Sequence, residues 1–140
     1  TEYLLIEIST SDIKMEAYGF TREKVLERVV NAVKHAKSNG IKKVNFFAVD
    51  STRSDLPFLK SVYEAALDAG ADEISVVDTI GACAPEAVEW LIREIKSWVG
   101  DTPVHWHGHN DFGLACASAI NQSTYLSQSS KCKRLFCFNP

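Results

Sequence analysis

Glycines stand at positions 40, 70 and 100, each closing a helix-like segment and opening a strand-like one. A spacing of about 30 residues is what one strand, one helix and their two loops require. Thr21 to Asn39 carries Val25, Leu26, Val29, Val30, Val33 and Ala36, an apolar stripe of helical period. Thr21 suits its N-cap and Gly40 the position just past its C-terminus. The next helix is entered through Ser54, Asp55 and Pro57, runs through Leu59, Val62, Tyr63 and Ala66, and stops near Gly70. The third has Pro85 in its first turn, a face of Val88, Leu91, Ile92, Ile95 and Val99, and an end at Gly100. An incipient fourth helix covers Phe112 to Ile120.

Between these lie Tyr3 to Ile8, Lys43 to Ala48, Glu73 to Val77, and Pro103-Val104-His105-Trp106 leading into His107. They are mostly apolar runs rather than clean alternations, as in parallel strands covered on both faces. The order βαβαβαβ defines an α/β chain. A generic α/β sheet would satisfy it, but the even repeat fits a (β/α)8 TIM barrel, which needs about 250 residues. The 140 residues here correspond to a fragment, about half of one. The expectation is four parallel strands in sequence order, helices on the outer side, and an open inner face.

The net charge of −3 argues against nucleic acid or an anionic membrane as a partner. No apolar run approaches the roughly 20 residues of a membrane span. Thr1-Glu2-Tyr3 resembles neither a signal nor a transit peptide, and the missing initiator Met reads as a chain that starts mid-protein. Cys83, Cys116, Cys132 and Cys137 form no Cys-x-x-Cys pair and read as reduced thiols, hence a cytoplasmic or organelle-matrix setting. Residues 121–140 hold Lys131, Lys133 and Arg134 but no acidic residue, against all 18 acids in 1–120. The domain reading is therefore 1–120 as a partial barrel and 121–140 as a divergent tail, either disordered or unrelated to the original fold.

Polar residues gather where each strand ends: Ser9 to Asp12, Asp50 to Arg53, Asp78 with Thr79, and His107 with His109, Asn110 and Asp111. In a parallel α/β protein these ends share one rim, where active sites sit. Ser51, Ser54 and Asp55 read as caps and turns only. His107 and His109 look to the same side, about 6 to 7 Å apart along an extended chain. Two neutral imidazoles so placed can hold a divalent metal. The alternative is a pair of histidines satisfied by hydrogen bonds, and the following Asn110, Asp111 and Gly113 tip the reading to metal. His105 shares that face and reads as a hydrogen-bonding residue one layer deeper, a third ligand being the alternative. Cys83, Cys116, Trp90 and Trp98 read as packing residues. Arg53 could meet a phosphate or carboxylate, or pair with Asp50 or Asp55.

Val104-His105-Trp106-His107-Gly108-His109-Asn110-Asp111-Phe112-Gly113-Leu114-Ala115 resembles the His-x-His-Asn-Asp segment of the metal-dependent acyl-CoA condensing enzymes and lyases. That superfamily includes the 2-isopropylmalate, homocitrate and citramalate synthases and hydroxymethylglutaryl-CoA lyase. Asp78-Thr79-Ile80-Gly81, Thr10-Ser11-Asp12-Ile13 and Phe47 to Asp55 resemble three further segments, in order, over residues 3 to 120. The resemblance implies strands four to seven of the barrel. It implies His107 and His109 as ligands of a divalent metal (Zn, Mn or Mg), and Thr79, Phe47 and Ser11 as substrate-binding residues, with Thr79 on a 2-oxoacid carboxylate. It implies acyl-CoA and a small 2-oxoacid as partners, and a homo-oligomeric parent. The Asn-Asp pair leans to Claisen-type synthases over lyases and over carboxyltransferases or aldolases.

Three departures stand out. The first strand, with its acidic ligand and arginine, and the eighth are absent. Val49 stands where many synthases carry Glu, and Lys14 where many carry His. Two protein ligands hold a metal weakly, since catalytic sites typically use three. An enzyme fragment and a catalytically inactive truncated remnant are therefore both open readings; a lyase-like activity is a third.

Overall fold

The computed structural model describes residues 1–126 and 135–137. Its strands are β1 (Tyr3–Ser9), β2 (Lys43–Val49), β3 (Glu73–Asp78), β4 (Val104–Gly108) and a short β5 (Leu135–Cys137). Its helices are α1 (Asp12–Tyr18), α2 (Arg22–Ser38), α3 (Leu56–Asp68), α4 (Pro85–Val99) and α5 (Ala115–Leu126). All neighbouring strands pair parallel, in the sheet order β1-β2-β3-β4-β5. The four expected strands and their succession are thus present, and β5 adds a fifth beside β4. Of the tail read as divergent, 127–134 and 138–140, with Lys131, Cys132, Lys133 and Arg134, lie outside the described residues.

The helix boundaries follow the caps. Thr21 accepts the Lys24 amide at the start of α2, and Asp55 accepts the Phe58 amide at the start of α3. Pro85 opens α4, where its missing N–H costs nothing. α1 was not foreseen. It is only seven residues long, capped by Ser11 before it and by Gly19 in the left-handed conformation after it.

Strand residues alternate between two unlike faces. Val44, Phe46, Ala48, Ile74, Val76, Val104 and Trp106 join Val29, Val33, Leu59, Val62, Tyr63, Ile92 and Ile95 from the helices in one core. The other face carries Tyr3, Leu5, Glu7, Asn45, Phe47, Ser75, His105 and His107, and is the barrel's inner side. There the side chains of Tyr3 and Leu5 remain 38% exposed. Helices on one side and an open inner side are what a piece of a barrel requires.

Two packing expectations are corrected. Trp98 packs on the core, but Trp90 is 51% exposed because it sits on the outer face of α4. Cys83 packs as expected, whereas Cys116 is exposed on α5; both are free thiols. Burial, and then Asp78, push the Cys83 thiol pKa upward, which keeps it protonated.

Candidate metal centre

The register of β3 on β4 sets Val77 opposite His107 and Asp78 opposite Gly108. β4 ends at Gly108, and His109 follows in the loop, its N–H donating to the Asp78 carbonyl at 3.1 Å. The two imidazoles meet at a centroid separation of 5.2 Å, inclined by 71°. Phe47, from β2, sets its ring edge against His107 at 5.1 Å. Burial, with His109 next to it, lowers the pKa of His107. A neutral imidazole offers a lone pair, which is the form a metal takes. The pair therefore fits a divalent cation as two of its ligands. Among the described residues, no group of three or more His, Cys, Asp or Glu side chains converges to complete a site.

The loop that carries His109 rests on the turn after β3. Gly81 has φ +68°, and a Cβ there would stand 2.6 Å from the His109 carbonyl oxygen and 3.0 Å from the Asp111 nitrogen. No side chain fits, so the turn needs glycine twice over. Asp78 points to the outer side and holds the turn, accepting the Gly81 and Cys83 amides and the Thr52 hydroxyl. Asn110 accepts the Ala115 amide and so caps α5.

Thr79 stands one step beyond the Asp78–Gly108 pair, level with His109. Its Oγ1 accepts the Asp50 amide at 2.9 Å. Ser11 is buried; its Oγ donates to the Asp50 carboxylate at 2.5 Å and accepts the Lys14 amide at the start of α1. The structure thus brings His107, His109 and Phe47 into contact, places Thr79 beside them, and sets Ser11 behind Asp50. Arg53 pairs with Asp50, one of the two partners expected, through Nε at 2.9 Å and Nη2 at 2.7 Å. Asp50 was read as a rim residue and as one possible partner of Arg53; that its carboxylate also takes Ser11 and its amide holds Thr79 was missed. The acid followed three residues later by an arginine at a strand exit signalled the ion pair and nothing more.

His105 lies one layer deeper, as expected, but without the expected hydrogen bond. It is 4% exposed, and its Nε2 approaches Glu73 Oε2 to 3.1 Å at an angle that makes no hydrogen bond, which leaves both ring nitrogens unpartnered among the described residues. Glu73 is held instead by Lys43 and the Tyr3 hydroxyl, and Asn45 donates to Tyr3 and accepts from Ser75. A cavity of about 270 Å³ lies over this layer, lined by Leu5, Glu7, Phe47, His105 and His107 among others.

Parallel strands with helices on one side and a histidine pair at their C-terminal ends are the architecture of part of a (β/α)8 barrel, seen at its C-terminal rim. The chain belongs to the HMGL-like family, whose profile matches residues 2–123. It is 44% identical over 116 residues to the 2-isopropylmalate synthase of Sulfolobus acidocaldarius, covering 82% of this chain and 30% of that one. It is 37% identical over 114 residues to the homocitrate synthase AksA of Methanothermobacter thermautotrophicus, covering 81% and 29%. The hydroxymethylglutaryl-CoA lyase of Pseudomonas aeruginosa shares the fold with a TM-score of 0.81 at 18% identity, over 99% of this chain and 46% of that one. A lyase of Acinetobacter baumannii, solved with coenzyme A and 3-methylmalate, aligns with a TM-score of 0.77 at 16% identity. The chain thus spans under a third of the synthases it matches and just under half of the lyase chains. No helix among the described residues is long and apolar enough to cross a membrane.

Proposed function

We propose that this chain is the part of a metal-dependent synthase that supplies two metal ligands and the 2-oxoacid carboxylate site for Claisen-type condensation with an acyl-CoA. The observation that carries the reading is the His107–His109 pair set against Phe47 and beside Thr79, in a chain that close in sequence to 2-isopropylmalate synthases. His107 and His109 would hold the ion. A divalent metal held there would supply a Lewis acid to the oxoacid carbonyl. Thr79 would donate a hydrogen bond from its hydroxyl to the substrate carboxylate, Phe47 would wall the oxoacid side chain, and Ser11 would act from behind through Asp50. A small acyl-CoA and a small 2-oxoacid are the partners, in a cytoplasmic or matrix setting.

The chain alone is inactive on this reading. It has two metal ligands where three are usual, and Val49 where a carboxylate could take a proton. Losing an oriented proton-transfer group removes about 10²–10⁴-fold in rate. The test is a chimera in which residues 3–120 replace the matching segment of a 2-isopropylmalate synthase, assayed by release of free CoA thiol. Metal-dependent release by the chimera, raised by Val49→Glu and absent from the isolated chain, is expected. Metal-dependent release by the isolated chain would overturn the fragment reading. A chimera that binds metal but stays inactive with Val49→Glu would favour the inactive-remnant reading.

A further inference from the structure

Asp50 is the sole non-glycine residue with positive φ among the described residues, at +66°. An L-residue is held there only when its surroundings over-determine it, and such outliers cluster at functional sites. The carboxylate, 0% exposed, accepts Ser11 Oγ, Arg53 Nε and Arg53 Nη2. The carbonyl accepts the Ser54 hydroxyl and the Arg53 amide. With both ends fixed, the remaining polar group, the N–H, points at Thr79 Oγ1 from 2.9 Å.

A hydroxyl has one proton to give and two lone pairs to receive with. Thr79 already receives from an amide, so its own proton must point elsewhere. No described residue accepts that proton. What is left is a donor on the half-exposed rim, level with His109, whose choice of directions the Asp50 amide narrows. We infer that Asp50 is a positioning residue: its strained, clamped backbone turns the Thr79 hydroxyl into a dedicated hydrogen-bond donor for the carboxylate of a small oxoacid. Ser11 and Arg53 act at one remove, by holding the Asp50 carboxylate. The inference rests on the reading of Thr79 given above.

The test follows the Thr79 and Asp50 amide signals of the full 140-residue chain by nuclear magnetic resonance during titration with pyruvate. In the wild type and in Thr79→Ser both signals move together along one binding curve. Thr79→Val abolishes that response and shifts the resting Asp50 amide, because its acceptor is gone. Asp50→Ala weakens pyruvate binding about tenfold, the loss of roughly one hydrogen bond to a charged group. Asp50→Asn, which tolerates the left-handed conformation and keeps an acceptor, restores most of it. The double variant Asp50→Ala/Thr79→Val is no weaker than Thr79→Val alone, since the two act through one bond. Thermal melts run alongside, and Asp50→Asn keeps the comparison open should Asp50→Ala unfold. Wild-type affinity in Asp50→Ala, or additive losses in the double variant, overturns the positioning role. A Thr79 signal that pyruvate never moves overturns the reading of Thr79 itself, and the inference with it; an Asp50 amide still sensitive to Thr79→Val would then mark the bond as structural.

Discussion

The two faces of this sheet were built under different rules. On the outer face Val44, Phe46, Ala48, Ile74, Val76 and Val104 are closed over by α2, α3 and α4, and none of them is reached by solvent. On the inner face Leu5 and Tyr3 lie partly open, Lys43 and Glu73 pair across strands, and His105 has no hydrogen-bond partner among the described residues. The outer core is made by each strand and the helices next to it in sequence, so a run of βα units completes it. The inner face meets side chains from around a whole barrel, so part of a barrel leaves it unfinished. Stability is therefore local here, whereas the inner face draws on side chains from strands that are distant in sequence.

The largest expected contrast is in folding energy. Phe46→Ala empties a fully buried site and should cost about 3–5 kcal/mol. Leu5→Ala, on the open inner face, should cost under about 1 kcal/mol, since little of the side chain is buried. Urea denaturation measures both, and equal costs would break the distinction between the faces.

Next comes the support of the rim. Gly81→Ala sets a Cβ against the His109 carbonyl in a left-handed turn, and should cost about 1–3 kcal/mol for the backbone alone. Because it displaces the ligand loop, it should also weaken divalent-metal binding about 10–100-fold. Metal affinity that survives a large loss of stability would show that the turn supports the fold and not the site.

A smaller effect separates the layers of the inner face. His105→Leu removes two buried nitrogens that make no hydrogen bond among the described residues, along with the 3.1 Å approach to Glu73, and should change stability by no more than about 1 kcal/mol. Glu73 keeps Lys43 and Tyr3. Metal affinity should not change; a fall would make His105 a ligand rather than a deeper-layer residue.

The smallest effect is a pH dependence. Burial, and then His109, hold the folded-state pKa of His107 below 6.5, so the unfolded chain takes up a proton there before the folded chain does. This contribution to stability is fully present above pH 6.5 and is lost as the pH falls through the lowered folded value. His107→Phe should flatten that part of the stability profile, and an unchanged slope would place its origin elsewhere.

The helices on the outer face were legible because their signals are local. Thr21, Asp55, Pro85 and the three spaced glycines mark their ends, and every residue of the apolar stripes expected on α3 and α4 is buried, Trp90 on the outer side of α4 being the exception among the residues expected to pack on these helices. α1 was missed because seven residues give too little periodicity, and Ser11 looked like a site residue rather than a cap. At the rim, residue types pointed to His107 with His109, but the strand step did not bring them together: His109 lies past the end of β4, in a loop held by the Asp78 carbonyl. Residue types could not reveal that Thr79 is held by the backbone of Asp50, because backbone strain leaves no mark on them. Nor could they show that Gly81 lies under His109, a contact made between two separate turns.

The central claim is that the inner rim holds half of a metal site. Isothermal titration of the isolated chain with Mn²⁺ or Zn²⁺ tests it most directly. Weak binding that disappears in His107→Ala/His109→Ala is the expected result. Tight binding that survives the double substitution would contradict the claim and move the metal elsewhere.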